Sequence, residues 1–299
     1  MTAVGIEPNS VLLFAMEGLF SRRVFELLLQ QGAQFEGVVL PRRSSITQKE
    51  VSHNKLNVLN TESIESLARY HRIPLFYING KTPEHYQQLL QKKHPDIILV
   101  ACFPYLLPAA VFKCAQRGAF NIHPSLLPAY KGPVPLFWQF YFGDMKCGIS
   151  IHEIDATFDT GNIVLQQTVN LVDGISSAEA TDLLANAAVD LVALLFEQLC
   201  ADRLQSIVQD EKHASYYSWP GLAQFTIPTS WAARRAFNFM HGSRHWNQVY
   251  RIVADHDDKG INAREAIAYY PAHCSAVTIH PEGTQQLIQF KEGCLLISP

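Results

Sequence analysis

Short apolar runs alternate with segments of helical periodicity over the first 122 residues, and this alternation constrains the fold more than any other feature. The apolar runs are VLLFAM, FEGVVL, PLFYI, DIILVAC and GAFNI, which begin at residues 11, 35, 74, 96 and 118. Between the first two runs, Phe20, Val24 and Leu28 recur at helical spacing, and Gly32 marks the end of that helix. Strands that alternate with helices are typical of an α/β fold with a parallel sheet.

The pattern changes beyond residue 146. CGISIHEI (147–154) and NIVLQQTVN (162–170) alternate apolar and polar residues, which predicts two strands around a turn-rich segment. Ser176 and Glu179 form a capping box that opens a helix reaching Leu199. After a linker at 203–224, one amphipathic helix precedes several short strand-like pieces. We therefore predict a Rossmann-like, mostly parallel sheet with helices on both faces at 1–205, and a small β-rich, barrel-like domain at 206–299.

Composition narrows the class of protein. The chain has 299 residues, 48% of them hydrophobic, which is ample for a packed core. It carries 24 basic and 27 acidic residues, so we expect no DNA partner and no membrane partner. The six cysteines form no CxxC pair and are expected to be free thiols. There is no basic amino-terminal region, and no stretch is predicted to reach the length of a membrane span, so a cytoplasmic location is expected.

A polar pair stands at the end of the strand GAFNI. Asn121 and His123 lie two residues apart, so they share one face of a strand, and Pro124 disfavours helical geometry at His123. The pair should therefore project from the carboxyl end of a strand, where open α/β sheets bind ligands. The proline-rich loop that follows is predicted to hold the histidine rigidly.

NIHPSLLPAYKG (121–132), taken with HEIDATFDTGNIVLQ (152–166), resembles the folate-dependent formyltransferase family. That family pairs an N-x-H and S-L-L-P signature with a later D-x-G, and here His123 and Asp159 are 36 residues apart. It includes enzymes that formylate methionyl-tRNA, glycinamide ribonucleotide and amino sugars. The resemblance covers roughly residues 10–200.

The resemblance implies transfer of a formyl group from N10-formyltetrahydrofolate to an amine, with Asn121, His123 and Asp159 as the catalytic trio. Such a transfer passes through a tetrahedral oxyanion, to which Asn121 can donate its amide N–H. His123 can carry protons from the attacking amine to the leaving folate nitrogen. Asp159 would orient the ring and stabilise its charged form.

The resemblance also indicates where the ligands bind. The segment CFPYLLP (102–108) follows the fourth strand, where the family holds the pterin, and the 155–159 loop lies nearby. The expected cofactor contacts are Phe103, Leu106, Leu107, Asp155, Ala156 and Thr157. The expected substrate contacts are Ser125, which could instead cap the loop, and Lys131, which stands where related enzymes carry arginine. HGSRH (241–245) lacks an acidic ligand, so no metal site is predicted.

Three features bear on the acceptor. FAMEGLFS (14–21) lacks the Gly-Thr-Pro that the tRNA enzymes show after the first strand. Residues 228–299 hold seven basic and six acidic residues, so this region has little excess positive charge with which to bind a large RNA. The basic loop at 40–57 does not reproduce the glycine- and lysine-rich insertion of the tRNA enzymes.

We therefore predict a small-molecule amine as acceptor, such as an amino sugar or a metabolite. The first alternative is a methionyl-tRNA formyltransferase, in which Arg42 and Arg43 would be the first residues expected to contact tRNA. Two further alternatives are a 10-formyltetrahydrofolate hydrolase, in which water replaces the amine, and a folate-binding protein without activity.

Overall fold

The structure is a computed structural model that describes residues 10–42, 63–79, 86, 89, 95–254, 257–273, 278–279 and 285–299. Its first seven strands are β1 Ser10–Ala15, β2 Gln34–Pro41, β3 Leu75–Ile78, β4 Ile97–Ala101, β5 Gly118–His123, β6 Lys146–Glu153 and β7 Ile163–Asn170. Its α-helices are α1 Leu19–Gln30, α2 Ile64–Tyr70, α3 Ala109–Phe112, α4 Pro135–Phe142, α5 Ser177–Cys200 and α6 Ala233–Ser243.

The seven strands form one sheet in the order β3-β2-β1-β4-β5-β6-β7. Strands β1 to β5 pair in parallel, and β6 pairs antiparallel with β5. All of β4 and all but the first residue of β1 are buried, as expected for central parallel strands that are covered on both faces. The predicted mostly parallel α/β fold is thus confirmed.

The strand order reverses between β1 and β4. The chain proceeds from β1 outward to β2 and β3, then returns to the other side of β1 with β4. Ala15 and Ala101 end these two strands and pair in register. Ligands of open α/β sheets bind beyond the carboxyl ends of the strands at such a reversal, so the fold marks this edge as the place to look for a site.

The long helix α5 begins as predicted. The Ser176 amide donates to the Glu179 carboxylate at 3.0 Å, and the Glu179 amide donates to the Ser176 hydroxyl at 3.2 Å, which completes the capping box.

The prediction that no stretch reaches the length of a membrane span is wrong, because α5, with 24 residues, is long and apolar enough to cross a membrane by length and composition alone. Half of the most apolar 18-residue stretch of α5 is buried within the fold, and the core helix of a soluble protein can have the same length and hydropathy.

The carboxyl-terminal strands form two small sheets. Strands β8 Thr226–Pro228, β9 Tyr250–Ala254 and β10 Asp257–Ala263 make a sheet in the order β10-β9-β8. Strands β11 Glu265–Tyr270, β12 Thr278–Ile279, β13 Gln286–Gln289 and β14 Cys294–Ser298 make a second sheet in the order β11-β14-β13-β12. The prediction of a small β-rich region is confirmed.

By its internal contacts the chain divides into two compact units. The first comprises Met1–Lys131, Gly148–Gln167 and Asp182–Ser215, and the second comprises Gly132–Cys147, Thr168–Thr181 and Tyr216–Pro299. The predicted division into independent domains at 1–205 and 206–299 stays a prediction.

The cysteines differ in state. Cys102, Cys114, Cys147 and Cys200 are free thiols, as predicted. The prediction is wrong for Cys294, which is disulfide-bonded.

Asp173 organises a polar network in the second unit. Its carboxylate accepts hydrogen bonds from Arg234 Nε at 2.9 Å, from Asn238 Nδ2 at 2.8 Å and from the Tyr269 hydroxyl at 2.8 Å. These groups lie on α6 and β11, so a single carboxylate connects both elements to the turn before α5. Burial by itself would raise the pKa of Asp173, but the hydrogen bonds from Asn238, Tyr269 and Arg234 together hold it below its usual value of 3.8.

We expect Asp173→Ala to reduce the free energy of unfolding by about 2–3 kcal/mol, because three donors lose a charged acceptor. Since the folded-state pKa is lowered, the stabilisation is complete above the unfolded-state pKa and is lost as the pH falls through the folded-state pKa. Thermal melting from pH 7 to pH 3 should therefore show a gap between wild type and variant that closes at the acidic end. The exposed Asp190, changed to Ala, is the control, and an equal effect of both variants would contradict this role.

Candidate active site

The pairing of β5 with β6 brings polar side chains together at the carboxyl end of β5. Asn121 pairs in register with His152, and His123 pairs with Ser150. Because side chains alternate along a strand, all four project from the same face of these two strands. His123, Ser150 and His152 are buried, with exposures of 4%, 0% and 3%, inside a cluster of polar groups.

Asp159 reaches this cluster from the loop after β6. Its backbone lies in the left-handed region, with a φ of 58°, and its side chain is buried. Two residues later, Gly161 lies so close to the Glu153 carbonyl that a Cβ would collide with it. The D-x-G pattern therefore has a structural cause, because the loop must fold tightly against the end of β6 to turn Asp159 inward.

Both ring nitrogens of His123 face acceptors. Nε2 lies 2.9 Å from the Tyr130 carbonyl oxygen, which can only accept, so Nε2 carries a proton. Nδ1 lies 3.4 Å from Asp159 Oδ1. The backbone thus holds the ring by one nitrogen and directs the other nitrogen at the carboxylate, as in an acid–base pair.

His152 fixes the orientation of Asn121. His152 Nδ1 lies 2.8 Å from the Glu153 carbonyl oxygen and therefore carries the proton, which leaves Nε2 as an acceptor in the neutral ring. Asn121 Nδ2 lies 3.0 Å from that nitrogen, so the amide must present its NH₂ group there. The same Nδ2 donates to Asp159 Oδ1 at 3.3 Å, so the donor of Asn121 is aimed at the carboxylate that His123 also faces.

Three residues other than glycine adopt left-handed backbone conformations around the site. Cys102, Tyr130 and Asp159 have φ values of 55°, 60° and 58°. Cys102 directly follows β4, the carbonyl of Tyr130 holds His123, and Asp159 faces the ring, so this backbone strain is concentrated at the candidate site. Burial raises the pKa of the Cys102 thiol to about 11, and the nearby Asp159 adds to the shift, so this cysteine stays protonated at neutral pH and is a poor nucleophile.

The two predicted substrate residues both have partners inside the protein. The Ser125 hydroxyl, fully buried, donates to the Ala129 carbonyl at 2.7 Å, which braces the proline-rich loop. The ammonium of Lys131, 6% exposed, lies 2.9 Å from the carboxylate of Glu211. Their assignment as substrate contacts stays a prediction, and the observed bonds give each a structural role in the loop.

The predicted cofactor contacts fall into three environments. Phe103 and Leu107 are buried in the core, Leu106 is 44% exposed, and Asp155, Ala156 and Thr157 lie in the loop after β6, where Asp155 accepts from the Thr157 amide at 3.0 Å. The structure thus places these residues on two segments, one after β4 and one after β6, and their role as cofactor contacts stays a prediction.

One buried polar atom in that core cluster lacks a partner. Tyr86 packs in the same cluster as Phe103 and Leu107 and is 3% exposed, yet its hydroxyl has no hydrogen-bond partner among the described residues. Burial raises its pKa to about 12, so the group is a neutral donor and acceptor. An apolar cluster with an unused hydroxyl suits a flat heterocycle that carries polar atoms.

Sequence reasoning missed two residues of the site. His152 alternates with apolar residues in ISIHEI, and pairing this segment with GAFNI in antiparallel register would have placed it beside Asn121. Gln209, 6% exposed, donates to the carbonyls of Asp159 and Gly161 at 2.9 and 2.8 Å, and no local pattern in the linker marks it.

Within the described ranges, no three His, Cys, Asp or Glu side chains are grouped so that they could hold a metal ion.

Comparisons with known proteins bear on the class of protein to which the chain belongs. The family model described as formyl transferase matches residues 23–194. The methionyl-tRNA formyltransferase of Clostridioides difficile (strain 630) is 25% identical over 210 residues, which are 70% of this chain and 68% of that protein.

Two solved structures share the fold over nearly the whole chain. WlaRD, a sugar 3N-formyl transferase in the presence of dTDP and 5-N-formyl-THF, has a TM-score of 0.63 and 16% identity, covering 96% of both chains. An N-formyltransferase from Helicobacter canadensis, in complex with folinic acid and dTDP-3-aminofucose, has a TM-score of 0.67 and 16% identity, covering 96% of this chain and 98% of that one. At this identity, the likeness concerns the fold alone.

We predict that the imidazole of His152 carries its proton on Nδ1 and not on Nε2, because Nδ1 bonds to the Glu153 carbonyl and Nε2 accepts from Asn121. Long-range ¹H–¹⁵N correlation spectra of the imidazole rings would report the protonated nitrogen directly. Asn121→Leu, which removes the donor, should weaken this preference, whereas substitution of the exposed Asn186 should leave it unchanged. A proton on Nε2 of His152 in the wild type would overturn the assigned orientation of Asn121.

Proposed function

Because the chain belongs to the formyl transferase family, whose model matches more than half of its length, we propose that Asn121, His123 and Asp159 transfer a formyl group to an amine. The donor is N10-formyltetrahydrofolate, and the acceptor is a small molecule. The observation that carries the proposal is the convergence of Asn121 Nδ2, at 3.3 Å, and His123 Nδ1, at 3.4 Å, on the same oxygen of Asp159.

The donor suits the residues present. Phe103, Leu107 and the unpartnered hydroxyl of Tyr86 would hold the folate ring, and the loop at 155–159 would lie along it. The folate supplies an activated formyl carbonyl. Two structural neighbours are described with folates, 5-N-formyl-THF and folinic acid, which supports a folate site on this fold.

Asn121 supplies the donor for the carbonyl oxygen. Its bond to His152 at 3.0 Å fixes the amide plane, and its longer bond to Asp159 at 3.3 Å is the one that an incoming oxygen can replace. A pre-oriented N–H stabilises negative charge that develops on a carbonyl oxygen during acyl transfer. The amide therefore needs no reorientation when the reaction begins.

His123 and Asp159 move the proton. The acceptor amine must lose one proton while the departing nitrogen gains one, so the reaction needs a group that accepts and returns a proton. Nε2 of His123 remains bonded to the Tyr130 carbonyl, which leaves Nδ1 for this exchange. When Nδ1 is protonated, Asp159 at 3.4 Å stabilises the ring's positive charge.

A small-molecule acceptor is favoured by the charges of the second unit. Arg234 is bound by Asp173 at 2.9 Å, and Arg244 by Glu265 at 2.7 Å. The guanidinium of Arg235 lies 3.5 Å from the centre of the Trp231 ring. Three of the basic residues at 228–299 are therefore engaged within the protein, and the chain as a whole has a formal charge of −3. Such a surface offers little for the many phosphate contacts that a large RNA needs.

Nucleotide-linked amino sugars are the first acceptors to test, since one structural neighbour is described with dTDP-3-aminofucose. Methionyl-tRNA is the second candidate, because the Clostridioides difficile relative acts on it by name. Of the two arginines assigned to tRNA contact, Arg42 directly follows β2 and its amide donates to the Ile78 carbonyl, and Arg43 lies outside the described residues. We place the reaction in the cytoplasm, which suits the four free thiols but not the disulfide of Cys294.

We predict that His123→Ala and Asp159→Ala each lower turnover by about 10²–10⁴, the usual weight of an acid–base group. Asn121→Ala should lower turnover by about 10²–10³, because it removes an oxyanion donor. Release of tetrahydrofolate, followed by absorbance, measures all three. Near-wild-type turnover by the His123 variant, with a normal melting curve, would exclude the assigned mechanism.

We predict that kcat/KM for a suitable nucleotide amino sugar exceeds that for methionyl-tRNA by roughly 100-fold or more. A panel of dTDP-linked amino sugars and charged initiator tRNA, assayed with the same donor, would compare them. Faster formylation of the tRNA, with binding that weakens steeply as salt rises, would reverse the choice. Release of formate without any amine would instead identify a hydrolase.

A further inference from the structure

Residues 207–215 contact both loops that carry the catalytic groups, and we call this segment the strap. Along the sequence it falls in the linker predicted at 203–224. In the structure it belongs to the first unit, whose last residue is Ser215. One end of the strap binds the loop of Asp159, and the other end binds the loop of His123.

The first end of the strap fixes Asp159. Ile207 exchanges two backbone hydrogen bonds with Ile163, at 2.8 and 2.9 Å, and so attaches the strap to the start of β7. Two residues on, the buried Gln209 donates from Nε2 to the carbonyls of Asp159 at 2.9 Å and Gly161 at 2.8 Å. One side-chain amide thus spans the left-handed turn that directs the Asp159 carboxylate inward.

The other end fixes the support of His123. The Ser215 hydroxyl accepts from the Tyr130 amide at 2.9 Å, its carbonyl accepts from the Lys131 amide at 2.8 Å, and its own amide donates to the Pro128 carbonyl at 3.2 Å. The Tyr130 carbonyl, between these bonds, holds His123 Nε2 at 2.9 Å. Ser215 therefore sets the peptide plane on which the catalytic ring rests.

The middle of the strap adds an ion pair, and the two large apolar residues at its first end are exposed. Asp210 accepts from the Lys212 amide at 3.0 Å and forms a short turn, from which Glu211 reaches Lys131 at 2.9 Å. Ile207 and Val208 are 72% and 77% exposed. The strap is thus held by directional polar bonds, which fix positions more closely than apolar contact does.

We propose that Gln209 and Ser215 are positioning residues, which act through Asp159 and His123 to set the distance between the carboxylate and the imidazole. This inference rests on the proposed function, since the two groups they hold are the acid–base pair of formyl transfer. Neither residue touches the reacting atoms. Their removal should leave the fold intact and relax the 3.4 Å pair.

The test compares matched substitutions in the full-length protein. Gln209→Met keeps the length of the side chain but removes the donor, and Gln205→Met makes the same change at an exposed glutamine outside the strap. Ser215→Ala removes the hydroxyl, Ser215→Thr retains it, and Ser218→Ala is the exposed control. Melting curves establish that each variant is folded.

The first readout does not depend on any substrate. In the wild type, the Nε2 proton of His123 should appear in imidazole ¹H–¹⁵N spectra as a slowly exchanging signal, because it is bonded to Tyr130. In Ser215→Ala this signal should broaden or exchange at least about tenfold faster, and Ser215→Thr should restore it. The two controls should match the wild type.

The second readout is turnover. Gln209→Met and Ser215→Ala should each lower kcat about 10- to 100-fold with a donor KM within about twofold of wild type, as expected when a catalytic pair is misplaced by a fraction of an ångström. Unchanged kcat together with an unchanged His123 signal in folded variants would overturn the proposal. If the wild type shows no formyl transfer, the proposed function fails while the His123 signal still decides the positioning role. Should Gln209→Met not fold, the Ser215 variants decide alone.

Discussion

The antiparallel pairing of β6 with β5 is the constraint on which the site depends. A parallel neighbour would require a crossover before its carboxyl end could stand beside Asn121, whereas the antiparallel strand sets His152 directly opposite and then turns back at once toward Asp159. The same register puts Ser150 beside His123, where its hydroxyl accepts from the Leu127 amide at 3.0 Å. One pairing thus aligns the side chains of the candidate site and supports the loop that follows the histidine.

A chain of hydrogen bonds carries this alignment to the individual atoms. The Glu153 carbonyl sets the tautomer of His152, His152 sets the amide of Asn121, and the Tyr130 carbonyl sets the ring of His123. Two of these three bonds are made to a backbone carbonyl, whose direction is fixed by secondary structure or by a tight loop. Such preorganisation is how a protein lowers the cost of reorganising dipoles during a reaction.

Periodicity predicted much of this molecule, because each buried strand of the parallel sheet reads as a continuous apolar run, as VLLFAM and DIILVAC do. Asn121, His123 and Asp159 were found through local motifs that resemble a known family. His152 was missed because its role arises only from register across two strands, and Gln209 because its partners are 48 and 50 residues away. Strand β10, DDKGINA, has no apolar pattern and forms through its pairing with β9.

The position of Ser215 has a consequence for recombination between related chains. Residues 207–215 look dispensable along the sequence, since they are mostly polar, mostly exposed and lie in the predicted linker at 203–224. A chimera joined at residue 205 would nevertheless combine the loops of His123 and Asp159 from one parent with the foreign amide and hydroxyl partners of another. Crossovers placed after Ser215 keep these partners together, so the segment to inherit as one unit with the candidate site extends ten residues past the predicted end of the α/β region at residue 205.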